Sequence, residues 1–361
     1  MVVSDVSKKY FVSFLLPNYN NENVLNLFFE KFIQNNTYSH YEFIFIDDGS
    51  LDKSLDVAFK WKKSGYIKNI KIIPLEHVGI CKALNTGLKE VKGDFIIRMD
   101  GDATVETKSF VEKFLKFYEI NPSKIGVITS KVIWETGIVH ALGRNVICKE
   151  GLHNRGGQVL EPIGKRTFDS IVAMPKEEEC GLCNLIAEVD TALGVLTFFD
   201  AEIAFKIGCF DENYPLWIED DDFFLSFRLY NKKVFFLPTV KVIHRPSLRG
   251  SRNPNFGNNK LSFQQYVKKL LPGFVISILK KIKKHFSKDT FPKETDSWRI
   301  KILKHDYEYW KKKWKFDPLN PDIEKIIELY KGTELIWNFD DDMKKEGMEI
   351  IAKYIEGRNI K

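Results

Sequence analysis

Two carboxylates close an apolar run in Asp94-Phe95-Ile96-Ile97-Arg98-Met99-Asp100-Gly101-Asp102. Such a pair suits a hard divalent cation, because magnesium and manganese commonly share themselves between one or two carboxylates and substrate phosphates. The alternative is a strand followed by a solvated Asp-Gly turn. A second acidic group, Glu219-Asp220-Asp221-Asp222, follows Trp217-Ile218. Carboxylates crowded together raise one another's pKa, and a weak hydroxyl nucleophile needs a positioned base. An acidic first turn of a helix, favoured by the helix dipole, accounts for the same residues, although helix opening alone does not call for Trp217 and four consecutive acids. A third group, Asp47-Asp48-Gly49-Ser50, reads on its own as a helix-opening turn with Ser50 or Asp52 as the cap.

The elements that must carry these groups follow from hydrophobic periodicity. Tyr10 to Leu16, Glu42 to Ile46, Ile70 to Pro74 and Phe95 to Met99 are short apolar runs, expected as buried strands. Between them, Glu22 to Gln34, the stretch around Leu55 to Trp61, and Ile80 to Val91 carry helical apolar faces. That alternation predicts an α/β fold whose parallel sheet is covered on both faces. In open sheets of this kind ligands bind beyond the carboxyl ends of the strands. Pro17 to Asn20, Asp47 to Ser50 and Asp100 to Asp102 all lie at such ends, so three polar clusters far apart in sequence are expected to converge. A helix over Lys108 to Tyr118 and a strand over Ile125 to Val132 follow. Residues 134–190 form a loop-rich insert, and Gly194 to Phe199 is again strand-like. Ala201 to Ile207 is helical, a helix opens at Glu219, and the strands Val234 to Leu237 and Val240 to Ile243 lead into His244. The Gly, Ser, Asn, Arg and Pro run from Arg249 to Asn259 marks a boundary between a catalytic domain over 1–250 and a helical, basic extension over 260–361.

With 361 residues, 44% hydrophobic and 29% charged, the chain has the composition of a soluble globular protein. The net charge of +6 is local in origin. Lys260 to Lys315 holds 16 Lys and Arg against 5 Asp and Glu, an excess of +11, and the remainder of the chain is slightly acidic. Five cysteines, an odd number without a disulfide-scaffold pattern, suit a reducing compartment. Met1 to Tyr10 lacks the apolar core of a signal peptide. No run reaches the roughly 20 apolar residues of a spanning helix. A cytoplasmic location is therefore expected.

In order and spacing the chain resembles glycosyltransferase family two, whose catalytic domain has the GT-A fold. The resemblance covers roughly Phe11 to Pro246. It rests on Leu16-Pro17-Asn18-Tyr19-Asn20, Ile46-Asp47-Asp48-Gly49-Ser50, Gly79 to Gly87 with Asn85, Asp100-Gly101-Asp102, and Trp217-Ile218-Glu219-Asp220-Asp221-Asp222-Phe223. It implies a mostly parallel central sheet flanked by helices and an inverting transfer of a sugar from a nucleotide diphosphate, a UDP-sugar foremost, to an acceptor hydroxyl. Mn2+ or Mg2+ would act as Lewis acid and template for the departing diphosphate. Asp102 would be its direct ligand, with Asp100 on the cation or the donor ribose and His244 a third ligand in some relatives. Asp47 or Asp48 would receive the uracil N–H, with Pro17, Tyr19 and Asn20 around the base, Gly101 between the two ligands, and Lys82 near the diphosphate. Asp220 matches the general base, and Glu219 and Asp222 would shape the acceptor side. His153 and Arg155, in the Gly-rich part of the insert, would face donor or acceptor.

The composition, rich in Lys, Asn, Ile and Phe, hints at an AT-biased bacterial genome. The chain is thus expected to build a surface polysaccharide or glycolipid, such as capsule or lipopolysaccharide, on a glycan or lipid-linked acceptor. A sugar-1-phosphate nucleotidyltransferase would instead carry a Gly-rich, basic phosphate loop after the first strand. A non-catalytic carbohydrate-binding protein would not need both a cation site and a base. Cys148, His153, Cys180 and Cys183 offer the ligand types of a zinc site, but a single C-x-x-C is a weak signal. Val267 to Phe286, apolar with six lysines, reads as a peripheral contact with anionic membrane or as a solvated face over a core helix. No aromatic-basic motif supports a nucleic-acid partner.

Overall fold

The computed structural model describes residues 9–148, 152–155, 175–216, 218–248, 298–336 and 341–359. The first elements alternate as the periodicity predicts: β1 (Val12–Asn18), α1 (Glu22–Asn35), β2 (Tyr41–Asp47), α2 (Ser54–Ser64), β3 (Ile70–Pro74), α3 (Ile80–Leu88) and β4 (Phe95–Met99). Next come β5 (Ala103–Val105), α4 (Phe110–Tyr118), β6 (Ile125–Trp134), β7 (Val139–Ala141), β8 (Arg144–Asn145) and β9 (His153–Asn154). After them lie β10 (Ala187–Val189), β11 (Leu196–Asp200), α5 (Ala201–Ile207), α6 (Glu219–Ser226) and β12 (Lys233–His244). Three helices follow: α7 (Trp298–Trp314), α8 (Ile323–Leu329) and α9 (Asp341–Asn359).

The main sheet runs β10-β12-β6-β11-β4-β1-β2-β3, with β5 on β12 and β7 on β6. Strands β3, β2, β1 and β4 are mutually parallel, β11 inserts antiparallel between β4 and β6, and β12 runs parallel to β6. Six of the eight strands along this path therefore point the same way, the mostly parallel sheet expected. Alternation along each strand splits the core into two layers. Phe14, Leu16, Phe43 and Phe45 pack with Phe28, Phe29, Phe110 and Phe114 on one face. Leu15, Ile44 and Ile46 pack with Leu84, Ala204, Phe223 and Trp310 on the other. Both faces are covered, which is why these strands read as near-continuous apolar runs.

Two local differences bear on the site. The strands expected at Val234 to Leu237 and Val240 to Ile243 are one strand, β12, whose pairing with β6 shifts register between Leu237 and Lys241. The interruption read from Pro238-Thr239 is an irregularity in a continuous strand, as befits a proline that cannot donate to the ladder. The three residues of β5, too short for a periodic signal, pair antiparallel with the end of β12, matching His244 with Ala103.

Met1–Gly250 and Ile302–Lys361 form one compact unit, and Ser251–Lys301 another. Within the first, Trp310 and Trp314 of α7 are buried. Arg228 meets Glu188 at 2.9 Å, and Lys233 meets Glu334 at 2.7 Å, all four side chains buried. Burying four charges is tolerable only because they pair, and this network fixes the segment around Glu334 to β10 and β12. Residues 251–297, most of the basic segment, lie outside the described residues. No described helix is long and apolar enough to cross a membrane.

Candidate active site

The sheet brings the first acidic group to its carboxyl edge. Asp100 follows β4 directly, and the backbone turns so that Arg245 N–H donates to Asp102 O at 2.7 Å. Gly101 sits where a Cβ would lie 3.0 Å from Asn21 Nδ2 and 3.1 Å from Asn18 Oδ1, so a side chain there would press on the loop after β1. Because β5 holds the end of β12, His244 Nε2 comes 3.0 Å from Asp102 Oδ2. Asp100, Asp102 and His244 each offer a ligand atom, and these atoms lie within 4.8 Å of one another. Among the described residues no other group of three His, Cys, Asp or Glu converges in this way. The donor set fits Mn2+ or Mg2+: two carboxylates supply the hard oxygens, and three protein ligands leave positions for water and phosphate.

Behind His244 stands an arrangement that sequence reading did not single out. His140 Nδ1 lies 3.1 Å from His244 Nδ1, and Trp134 stacks on both rings, at 3.9 Å from His140 and 4.9 Å from His244. With one ring nitrogen on His140 and the other on Asp102, His244 is oriented from both ends. Trp134 ends β6 and His140 lies in β7, so the contact depends on a hairpin that no spacing rule announces.

The second acidic group opens α6, after Ile218 in the left-handed region at φ 51°. A β-branched residue there is uncommon, and such conformations cost of order 1–3 kcal/mol. Trp217 lies outside the described residues. The four acids then go to four different places. Asp221 is buried and meets Arg144 Nη1 at 2.5 Å; burial, only partly offset by Arg144, pushes its carboxyl up to about 6. Asp222 turns toward α7, accepting from Trp314 Nε1 at 2.7 Å, Lys313 Nζ at 2.7 Å and Tyr214 Oη at 3.2 Å. Glu219 is buried, and desolvation pushes it up to about 7 against the pull of Arg98. Asp220 alone of the four is not buried, its side chain 13% exposed. It pairs with Arg98 Nη1 and accepts from Gly194 N–H at 2.9 Å. Arg98 also places Nη2 3.6 Å from Asp100 Oδ1. The structure therefore brings Asp220 to the Asp100–Asp102 edge and takes Asp222 away from it.

The third group is engaged in building the loops. Asp47 accepts from Asn18 Nδ2 at 2.8 Å, Ser50 N–H at 2.9 Å and Ser50 Oγ at 2.7 Å. Asp48 Oδ1 accepts from Val78 N–H at 2.7 Å and Asp48 Oδ2 from Gly79 N–H at 3.1 Å, and His77 Nδ1 lies 2.9 Å from the same Oδ2. These bonds tie the ends of β1 and β2 to the loop before α3. Tyr19 stacks on His77, centroids 4.3 Å apart, a ring pair for which the sequence held no signal. Pro17 pairs with Ile46 within the sheet, and Asn20 accepts from Leu51 N–H at 2.8 Å. Lys82 is exposed on α3. Asn85 is a structural tie: it exchanges two hydrogen bonds with the Phe210 backbone, at 2.8 and 2.9 Å. Arg155 lies 5.6 Å from the ring of Phe236, in mid β12. His153 lies in β9, its side chain outside the described residues. Cys180 and Cys183 are buried, and burial pushes the Cys183 thiol up to about 12.

Residues 13–165 match the model of glycosyl transferase family 2. A cholesterol galactosyltransferase of Borreliella burgdorferi is 33% identical over 105 residues, 29% of this chain and 28% of that one. A dolichyl N-acetyl-alpha-D-glucosaminyl phosphate 3-beta-D-2,3-diacetamido-2,3-dideoxy-beta-D-glucuronosyltransferase of Methanococcus voltae is 29% identical over 140 residues, 38% of this chain and 41% of that one. The poly-beta-1,6-N-acetyl-D-glucosamine synthase of Staphylococcus epidermidis is 24% identical over 204 residues, 55% and 42% of the two chains. The chain thus spans less than half the length of these relatives.

Proposed function

We propose that this chain is a metal-dependent, inverting glycosyltransferase that moves a sugar from a nucleotide diphosphate, a UDP-sugar foremost, to a hydroxyl of a surface glycan or lipid-linked glycan. One observation carries the reading: a cation-type donor set and a partly exposed carboxylate on a separate helix meet at the carboxyl edge of one sheet. Asp100, Asp102 and His244 would hold Mn2+ or Mg2+, which neutralises charge developing on the diphosphate. Asp220 removes the acceptor proton; it alone among the acids of α6 combines partial exposure with a link to Asp100. Glu219, pushed up to about 7 by burial, is part protonated at neutrality and shapes the acceptor side beside Asp220. Tyr19, His77 and Asp48 frame the wall toward the nucleotide base, with Lys82 beside the diphosphate. The loop after β1 is Pro17-Asn18-Tyr19-Asn20, without the Gly-rich phosphate cradle of a nucleotidyltransferase. The relative named a poly-beta-1,6-N-acetyl-D-glucosamine synthase, from Staphylococcus epidermidis, supports a bacterial surface-glycan role, and the dolichyl-linked relative supports a lipid-linked acceptor; the basic segment would draw the chain to the inner face of the membrane.

The test is a panel of sugar nucleotides, each scored with Mn2+ for thermal stabilisation and diphosphate release. At least one donor should stabilise the protein only in the presence of the cation and release diphosphate once an acceptor is added. A panel without any cation-dependent response would overturn the reading.

A further inference from the structure

Arg98 has no part in the roles assigned so far, yet its guanidinium stands at the centre of the site. Its side chain is 3% exposed. A cation that deep is costly unless paired, and its two carboxylate partners come from opposite halves of the site. Asp220 on α6 meets Nη1, and Asp100 beyond β4 lies 3.6 Å from Nη2. A planar guanidinium can address two carboxylates in fixed directions, which the single point charge of a lysine cannot.

The surroundings are fitted to that group. Gly194 leaves room for it, because a Cβ at this position would run into the guanidinium carbon. The Gly194 N–H donates to the second oxygen of Asp220 at 2.9 Å, while the first faces Arg98 Nη1 as an ion pair. Phe210 lies over the guanidinium at 5.4 Å, and Asn85 pins Phe210 through two backbone hydrogen bonds. Asp220 nevertheless remains 13% exposed. A carboxylate has about four lone-pair sites, so one partner on each oxygen leaves capacity toward solvent, where an acceptor hydroxyl would arrive.

We propose that Arg98, seated in the space left by Gly194, is a positioning residue that holds Asp220 in register with Asp100, so that the base and the cation site are set as one unit. The inference rests on Asp220 being the base. Arg98 takes no proton and touches no reacting atom; it fixes where the base stands. Its loss should therefore slow transfer while leaving donor binding in place.

The experiment uses the full chain loaded with Mn2+ and an active sugar nucleotide, comparing Arg98→Lys, Gly194→Ala, Asp220→Asn and the double variant Arg98→Lys/Asp220→Asn. Cation-dependent thermal stabilisation by the donor reports that each variant is folded and binds. Arg98→Lys and Gly194→Ala should each lower kcat by about 10²-fold, the usual cost of a misplaced catalytic group, with the donor KM little changed. Because Arg98 acts through Asp220, the double variant should be no slower than Asp220→Asn alone. Arg98→Ala, if folded by the same criterion, should recover part of its rate on addition of guanidinium. Wild-type kcat in both Arg98→Lys and Gly194→Ala, a loss confined to donor KM, or additive losses in the double variant would each overturn the proposal. Full activity of Asp220→Asn beside a slow Arg98→Lys would instead overturn the assignment of the base, and the proposal with it.

Discussion

His244 Nε2 stands 3.0 Å from Asp102 Oδ2, although 142 positions separate the two residues. The short antiparallel pairing of β5 with the end of β12 produces that approach. Asp102 is fully buried, so Asp102→Asn, which keeps the shape, is a cleaner probe than truncation. Chelation of the wild type should abolish transfer, and Mn2+ or Mg2+ should restore it. Asp102→Asn should lose cation-dependent donor binding measured by calorimetry, and His244→Ala should weaken it. Unchanged Mn2+ titrations in both variants would remove these residues from the cation site.

His140 makes a separate prediction. It faces His244 Nδ1 at 3.1 Å and is held in place by Trp134. Partners that orient a ligating histidine typically contribute 10–100-fold to metal affinity. His140→Ala should therefore weaken Mn2+ binding by about that factor, read directly in a metal titration without any substrate. An unaltered isotherm would make the stack a packing feature only.

The acids of α6 should separate by role. Asp220→Asn keeps shape and removes basicity, so transfer should fall by about 10²–10⁴-fold with donor affinity little changed. Asp222→Asn removes the buried charge that Trp314 Nε1 and Lys313 address, although Lys313, one-third exposed, keeps Asp211 at 2.8 Å, so its effect should appear in stability, by roughly 1–3 kcal/mol, before it appears in rate. Measuring both by denaturant titration and steady-state kinetics distinguishes them. A slow, stable Asp222→Asn would return that residue to the acceptor side.

Much of this arrangement was legible beforehand. Ile70–Pro74 and Phe95–Met99 coincide with their expected runs, because short apolar runs between turn signals read as strands even when a single Lys71 or Arg98 interrupts them. The carboxyl-edge position of Asp100, Asp102 and Asp47 follows from the same strand order. What escaped was set by contacts distant in sequence. Arg98 lies inside an apolar run and reads as an interruption until Asp220 and Gly194 are placed around it. Asp222 looks like its neighbour Asp220, and only the docking of Trp314 and Lys313 separates the two. His140 and Trp134 lie beside an irregular insert, where no period predicts which ring meets which.

Glu219 should leave a mark on stability. Burial raises its carboxyl to about 7 in the folded protein, well above its value in an unfolded chain. Between those two values the folded state holds a proton that the unfolded state has released. The stability this contributes is present at low pH and is lost as pH rises through about 7. Compared with Glu219→Gln, the wild type should therefore lose roughly 3 kcal/mol between pH 5 and pH 8. Parallel pH profiles from urea denaturation in chelator would show the difference as divergent curves; superimposable profiles would contradict the raised value.

The basic segment needs a probe that spares the fold. Trp310, Trp314 and Glu334 are buried within the unit formed by Met1–Gly250 and Ile302–Lys361. Truncation after Asn259 would remove all three and leave Arg228 and Lys233 without Glu334, so lost membrane binding in a truncated chain would say nothing about charge. Replacing Lys280, Lys281, Lys283 and Lys284 by glutamine removes four charges while keeping the C-terminal helices. A lysine near an anionic surface contributes about 1 kcal/mol, so the four changes should weaken binding to phosphatidylserine vesicles by roughly 10²–10³-fold. The attraction should also fall with salt, as screening requires. Transfer to a soluble acceptor should stay at the wild-type rate, since the acids and His244 of the site lie on the sheet edge and α6. Vesicle binding that ignores both the substitutions and the salt concentration would assign these lysines to a solvated face.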